Sequence, residues 1–192
     1  IDVLEVYAYS TLVDVFGDVP YSEALGESLT PAYDSDASIY GALGNRLLAS
    51  IQTLMAGSDN GLGSYDLLYG GSSAGWAKFG ASLALRLSIR MADVNAAVAQ
   101  AGAEASIAAG VITMASESAT LNYTTEPPHT NPYWDALVQS GRKDFIAANT
   151  IADVMNMYAD PRRSAYFKNL GGSDSVIGAA YGLQSSYNLH SQ

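Results

Sequence analysis

The stretch Ser72-Ser73-Ala74-Gly75-Trp76-Ala77-Lys78-Phe79-Gly80-Ala81-Ser82-Leu83-Ala84-Leu85-Arg86-Leu87-Ser88-Ile89-Arg90-Met91 decides the fold. Trp76, Phe79, Gly80, Leu83 and Leu87 recur at three- and four-residue spacing and form one apolar stripe on a helix. Lys78, Ser82, Arg86 and Arg90 form a second, polar stripe. The alternation from Leu83 to Met91 also suits a strand, but a run this long, rich in Ala, Leu and Arg and poor in β-branched residues, predicts a helix. Ser72 or Ser73 is placed to cap its start.

Upstream, Leu4, Tyr7, Ala8, Leu12 and Val15 have helical spacing and predict a helix, ended at Gly17. In Asp18-Val19-Pro20, the proline forces Val19 into an extended conformation, and Asp18 is expected to bond the backbone just ahead of it. Ile39, Tyr40, Leu43, Leu47, Ile51 and Leu54 make the stripe of a second long helix. Asp34 and Asp36 are read as its cap and dipole partner, and Gly57 as its stop. Asp93 is expected to cap a further helix, Val94 to about Ala109, closed by Gly110. The turn before it is so short that the helix must pair antiparallel with the one preceding it. Thr113 to Thr130 reads as a polar loop. A last helix is predicted from about Thr150 to Tyr158, with Ile151, Val154 and Met155 inward, broken by Asp160-Pro161. The tail from Gly171 has no strong period and is assigned no element.

At 192 residues and 48% hydrophobic content, the chain is long enough for a well-buried core. The formal net charge of −10 and pI near 4.3 repel phosphate backbones and anionic membrane surfaces, so nucleic acid is not an expected partner. Without cysteine there is no disulfide framework, thiol nucleophile or cysteine metal site. The weakly charged run Val94 to Ser116 is Ala-rich and interrupted by Asn95, Gln100 and Glu104, and it does not read as membrane-spanning. Thirteen Tyr against four Phe favours surfaces that are apolar and hydrogen-bonding at once.

The pattern Trp-x-x-Phe-Gly-x-x-Leu from Trp76 to Leu83 is similar to the first helix of a tetratricopeptide unit. Several other segments stand with it. They are Gly17-Asp18-Val19-Pro20-Tyr21-Ser22-Glu23-Ala24-Leu25, Pro31 with Tyr33-Asp34, Tyr69-Gly70-Gly71, the Trp76 to Arg90 helix, Asp160-Pro161-Arg162 and Tyr181-Gly182-Leu183. In this order and approximate spacing they resemble the SusD/RagB family over nearly the whole chain. The resemblance implies an all-α fold of tetratricopeptide-like helix hairpins with long loops, here a single helical domain over 1–192. It also implies a central fragment of a longer lipoprotein, whose lipid anchor lies outside this chain. Such proteins sit on the outer face of the bacterial outer membrane. They cap a SusC-like TonB-dependent transporter and capture oligosaccharides, or in some cases peptides, for import.

The residues argue for binding rather than catalysis. Only His129 and His190 offer an imidazole, no glycine-elbow serine accompanies them, and no metal-ligand spacing exists, so no catalytic residue, metal or cofactor is assigned. Asp34 and Asp36 also admit a glycosidase-type carboxylate pair. Asp59-Asn60-Gly61 opens like a calcium loop but lacks the later glutamate and is read as a turn. Arg86 and Arg90 admit two readings, an anion clamp or ion pairs with acids such as Asp14, Asp18 or Glu23. In the second reading, Arg86→Ala would orphan an acid and destabilise the fold. Sugar recognition needs flat aromatic faces and planar amides, and Tyr123, Asn131, Tyr133 and Trp134 supply both in or beside one loop. Tyr133 and Trp134 equally admit a role as core anchors of a short helix. Two other functions remain open, a helical-repeat scaffold that binds only protein and a glycan-active enzyme.

Overall fold

A computed structural model describes residues 1–57 and 62–192. Among the described residues there are seven α-helices and no strand, the all-α architecture expected. The expected Asp59-Asn60-Gly61 turn lies outside the described residues. The chain divides into two compact units, Ile1–Asn122 and Tyr123–Gln192.

The first unit holds α1 (Asp2–Phe16), α2 (Asp36–Ala56), α3 (Ser73–Arg90) and α4 (Ala96–Ala109). Helix α2 starts because Ser35 accepts the Ser38 N–H, and its core face follows the predicted stripe, with Ile39, Leu43, Leu47 and Ile51 buried. Burying each such side chain contributes about 1.5–3 kcal/mol. Helix α3 is capped by Ser72, which accepts the Gly75 N–H, and buries Gly80, Leu83 and Leu87 together with Ala77, Ala81 and Ala84. A Cβ on Gly80 would lie 3.1 Å from Ile51 and 3.6 Å from Leu47 and Val3, so the absent side chain sets how closely α1, α2 and α3 approach. Helix α3 packs against both α2 and α4, and α1 packs against α2. Gly102 of α4 faces Ser88 of α3 where a Cβ would come within 2.5 Å, the close approach expected of a tight hairpin. Its cap is Asn95, which accepts the Val98 N–H at 3.3 Å, rather than the expected Asp93.

Helix α1 forms where predicted, with a face other than that of Leu4, Tyr7 and Leu12 turned inward. Val3, Val6, Ser10 and Val13 are buried, while Leu4, Tyr7 and Leu12 are partly exposed and Val15 mostly so. The helix is apolar around much of its girth, so periodicity does not select a face. Packing does, and the slimmer Val and Ser side chains go where Gly80 draws the helices together. Arg46 of α2 fixes the pairing, with Nε and Nη2 on Asp2 (2.9 and 2.5 Å) and Nη1 on Glu5 (2.5 Å).

The polar stripe of α3 is spent on tertiary contacts. Lys78 pairs with Glu117. Ser82 Oγ accepts the Ile112 N–H at 2.8 Å. Arg90 pairs with Asp14 at 2.5 Å, and the same carboxylate accepts the Tyr40 hydroxyl. Arg86 departs from expectation: its guanidinium lies over the Tyr7 ring at 5.5 Å, on an exposed edge, with no acid as partner among the described residues. Of the acids proposed, Asp14 serves Arg90, and the other two bind backbone amides instead. Asp18 accepts the Asp36 N–H at 2.9 Å, which replaces the local bond expected of it, and Glu23 accepts the Ala32 N–H at 3.0 Å. Asp34 does not cap α2. It accepts the N–H groups of Tyr21 (3.0 Å) and Ser22 (2.8 Å) and the Ser22 hydroxyl, and these bonds hold its carboxyl below the usual range. Val19, extended before Pro20 and bridged to Asp34, belongs to the same core cluster as Leu83 and Leu87. The Gly17–Leu25 turn is thereby fixed to the helical core.

The second unit holds α5 (Pro132–Trp134), which runs into a π-helical turn (Asp135–Gln139), then α6 (Asn149–Met157) and α7 (Arg163–Tyr166). Helix α6 buries Ala152 and Met155, whereas Ile151 and Val154, expected inward, are half exposed. The reason is Gly178, whose backbone passes so close that a Cβ there would meet Asn149 Cα at 2.6 Å and Ala152 Cβ at 2.7 Å. Only a small residue fits beneath it. The tail after Gly171 has only one short 3-10 turn (Tyr187–Leu189), yet it is laced to the unit. Ala179 N–H donates to Ala147 O, Asn149 N–H to Ala179 O and Ala147 N–H to Ser191 O, each at 2.8 Å. Asn156 binds the Val176 backbone on both sides, donating to its carbonyl at 2.7 Å and accepting its N–H at 2.9 Å.

Candidate ligand-binding site

All four residues expected to contact a ligand fall in the Tyr123–Gln192 unit, on a loop and the helix it feeds. The loop folds back on itself. Thr124 N–H donates to His129 O at 2.9 Å and Thr124 Oγ1 to Glu126 O at 2.7 Å, across a cis Pro127–Pro128 bond. Thr130, at the end of this return, is buried, and its hydroxyl donates to Asp135 Oδ1 at 2.7 Å. Asn131 is the N-cap of α5: its side-chain oxygen accepts the Tyr133 N–H at 2.8 Å, and Pro132 takes the first helical position. That is the chemistry by which Asn-Pro starts a helix, since the proline supplies a helical φ and lacks only an N–H that would be unpaired anyway. Asp135 N–H donates to Asn131 O at 3.0 Å, and Ser140 N–H closes the following π turn on Asp135 O at 2.9 Å. Single π turns of this kind are frequent at functional sites.

The turn therefore carries Tyr133 and Trp134 at successive positions on a braced backbone. They are 78% and 42% exposed, and neither belongs to a core cluster, so the core-anchor reading does not hold. Tyr123 is 47% exposed on the outgoing limb, one residue before the Thr124–His129 hydrogen bond. Among the described residues, no ring contact or hydrogen bond joins Tyr123 to the other three. The cap uses the Asn131 oxygen, so its amide NH2 is left without a partner among the described residues. The set thus offers three aromatic faces and a planar donor.

Sequence reasoning passed over Arg142, Asp144 and Phe145. Arg142 lies over the Phe145 ring at 5.0 Å and forks onto Asp144, with Nε at 3.0 Å from Oδ1, and this pairing holds the Asp144 carboxyl below its ordinary range. The signal was present in Gly141-Arg142-Lys143-Asp144-Phe145 as an aromatic three residues after an arginine. The unit carries five basic and six acidic residues, a net charge of −1, whereas residues 1–122 carry four and thirteen, a net of −9. An almost neutral, aromatic-bearing surface suits an uncharged, hydroxyl-rich ligand better than an ion. His129 is exposed, and no group of three or more acidic or imidazole side chains among the described residues is placed to hold a metal.

The sequence profile of a SusD-like group described as "Starch-binding associating with outer membrane" matches residues 1–192. Solved structures share the fold. A SusD homolog from Bacteroides uniformis is 30% identical with a TM-score of 0.83, the alignment covering 100% of this chain and 41% of the other. A SusD homolog described as chitin-binding, from Flavobacterium johnsoniae, is 27% identical with a TM-score of 0.85, covering 99% and 41%. A SusD homolog from Bacteroides thetaiotaomicron is 30% identical with a TM-score of 0.82, covering 99% and 40%. The chain thus spans about two fifths of the length of the structures it matches. No curated protein sequence matches it.

Proposed function

This chain belongs to the SusD-like family, and from that premise we propose that it is part of a cell-surface protein that binds oligosaccharides for import and does not transform them. The observation that carries this reading is the braced turn, capped by Asn131, on which Tyr133 and Trp134 keep part of their rings exposed, with Tyr123 on the adjoining limb. Aromatic faces stack on the C–H side of sugar rings, and the Asn131 amide donates to hydroxyl oxygens. Starch-type α-glucans, from the family description, and chitin-type oligosaccharides, from the Flavobacterium relative, are the ligand classes to compare.

The same premise supports a place on the outer face of the outer membrane, held there by a lipid anchor outside this chain, beside a SusC-like TonB-dependent transporter that takes up the captured glycan. No described helix is long and apolar enough to cross a membrane. Calorimetric titration of the full-length protein with maltooligosaccharides, chitooligosaccharides and mixed peptides tests the reading, with mass spectrometry of the recovered ligand. Saturable glycan binding with the ligand returned intact supports it. Recovery of shortened glycan would make the protein an enzyme. Binding of peptides alone would make it a peptide-uptake protein, and binding of neither would leave a helical protein scaffold.

A further inference from the structure

The turn between α6 and α7 holds a chemically fragile bond. Asp160 precedes Pro161, and the peptide joining them is a tertiary amide whose nitrogen is more readily protonated and lost than that of an ordinary peptide. The Asp160 carboxylate is a nucleophile tethered beside it. In acid, a carboxylate oxygen attacks the main-chain carbonyl carbon of the same residue, the C–N bond to Pro161 breaks, and the departing nitrogen takes a proton from the solvent. Water then opens the cyclic anhydride, leaving a free carboxyl end at Asp160 and a new amino terminus at Pro161.

The fold prepares one half of this reaction and blocks the other. Asp160 O already accepts the Arg163 N–H at 3.2 Å and Arg163 Nε at 3.0 Å, two donors at the oxygen on which negative charge would develop. Ala159, just upstream, has a φ of 49° and is the one described non-glycine residue in the left-handed region, so scission beside it relieves backbone strain. The attacking group, by contrast, is engaged. Arg162 Nε lies 2.9 Å from Asp160 Oδ1 and Nη2 2.5 Å from Oδ2, and the Arg162 N–H donates to Oδ1 at 2.9 Å. These bonds occupy the carboxylate lone pairs and hold the side-chain torsion that an attack would have to turn. We propose that Asp160–Pro161 is a latent self-cleavage site, kept shut by Arg162, whose fork withholds the carboxylate from the carbonyl carbon of its own residue. All the groups belong to the stretch from Ala159 to Arg163, so the inference does not depend on the ligand.

The test compares the full-length parent with Arg162→Ala and Ser191→Ala, each incubated at the lowest pH at which circular dichroism shows all three folded. Mass spectrometry follows the fragments that end at Asp160 and begin at Pro161. Arg162→Ala should release them about threefold faster or more, the scale of one exposed ion pair. Ser191→Ala removes the buried hydroxyl that accepts the Ile177 N–H, which loosens the same unit but keeps the fork, so it should cleave at the parent's rate. That control separates release of the carboxylate from general loosening of the unit. Equal rates for the parent and Arg162→Ala would overturn the proposal, and so would the same acceleration in Ser191→Ala.

Discussion

The carboxylate of Asp66 accepts the indole N–H of Trp76 at 2.6 Å, tying the loop before α3 to the helix that organises the first unit. The same carboxylate takes the backbone N–H groups of Leu68 (3.1 Å), Tyr69 (3.2 Å) and Gly71 (2.9 Å). Burial pushes this carboxyl up, but the bonds from Trp76, Gly71, Tyr69 and Leu68 together outweigh it and hold it below its usual value. Asp66→Ala leaves these donors without an acceptor and should destabilise the protein by about 2–3 kcal/mol in urea unfolding. Asp66→Asn keeps one acceptor oxygen and should cost less. Equal unfolding midpoints for the alanine variant and the parent would show that water replaces the carboxylate at no cost.

Arg86 and Arg90 lie one turn apart on α3 yet should respond differently to truncation. Arg90 pairs with Asp14, which also accepts the Tyr40 hydroxyl and so links α1, α2 and α3. Arg90→Ala should therefore cost more than Arg86→Ala, which removes only a stacking contact over Tyr7 on an exposed edge. Such a contact is worth about 0.5–1 kcal/mol. The ordering of the two urea midpoints checks this, and a larger loss for Arg86→Ala would restore the idea that it serves an internal acid.

Two glycines should answer with opposite signs. Gly80→Val drives new atoms into Ile51, Leu47 and Val3 and should destabilise by about 1–3 kcal/mol. Gly44 lies inside α2, and a Cβ there would meet nothing within 4 Å. Gly44→Ala should stabilise by about 0.5–1 kcal/mol through helix propensity alone. Thermal unfolding of both variants measures this, and a stabilised Gly80→Val would mean that the helices part without cost.

The two glycines mark what was legible in the sequence. Helices α2 and α3 could be read face by face because their polar and apolar residues separate cleanly around the helix, and Gly80 stood in the middle of a buried stripe. Helix α1 could be placed but not oriented, because Leu4, Tyr7 and Leu12 compete on equal terms with Val3, Val6 and Val13 until a partner surface chooses. In α6, Gly178 makes that choice from more than twenty residues away. The roles of Asp18, Glu23 and Asp34 were hidden for a related reason: each carboxylate serves a backbone amide distant in sequence, and backbone donors leave no compositional trace. At the candidate site, the helix start at Asn131-Pro132 was passed over, although an Asn before a Pro carries that signal, and how far Tyr133 and Trp134 reach solvent depends on packing that no local pattern encodes.

Acid should weaken the protein through Glu117. The bond from Lys78, followed by those from the Thr113 and Met114 amides, lowers its pKa from 4.5 to about 2. A carboxyl lowered on folding contributes stability above the unfolded value and loses it as pH falls toward the folded one. The loss should therefore run from about pH 4.5 down to about 2. Asp160, lowered to about 2 chiefly by Arg162, adds to the same limb. Glu117→Gln should make the dependence of the unfolding midpoint on pH shallower in this window. An unchanged slope would assign acid sensitivity to other carboxylates.

Glycan affinity should depend on Trp134 more than on the hydroxyl of Tyr133. Both rings are held by one backbone cap, so removing one ring leaves the turn intact, because the Asn131 to Tyr133 bond uses main-chain and amide atoms only. Trp134→Ala should weaken binding of the preferred oligosaccharide roughly tenfold or more, the scale of a stacked aromatic at the centre of an interface. Tyr133→Phe keeps the ring face and should change affinity little, whereas Asn131→Ala should act twice, by loosening the cap and by removing the free amide donors. Calorimetry on the full-length variants, with circular dichroism to confirm folding, separates these effects. If Trp134→Ala binds as tightly as the parent while the parent binds glycan well, the sugar-binding surface lies elsewhere in the protein, and the braced turn is a structural feature of the second unit.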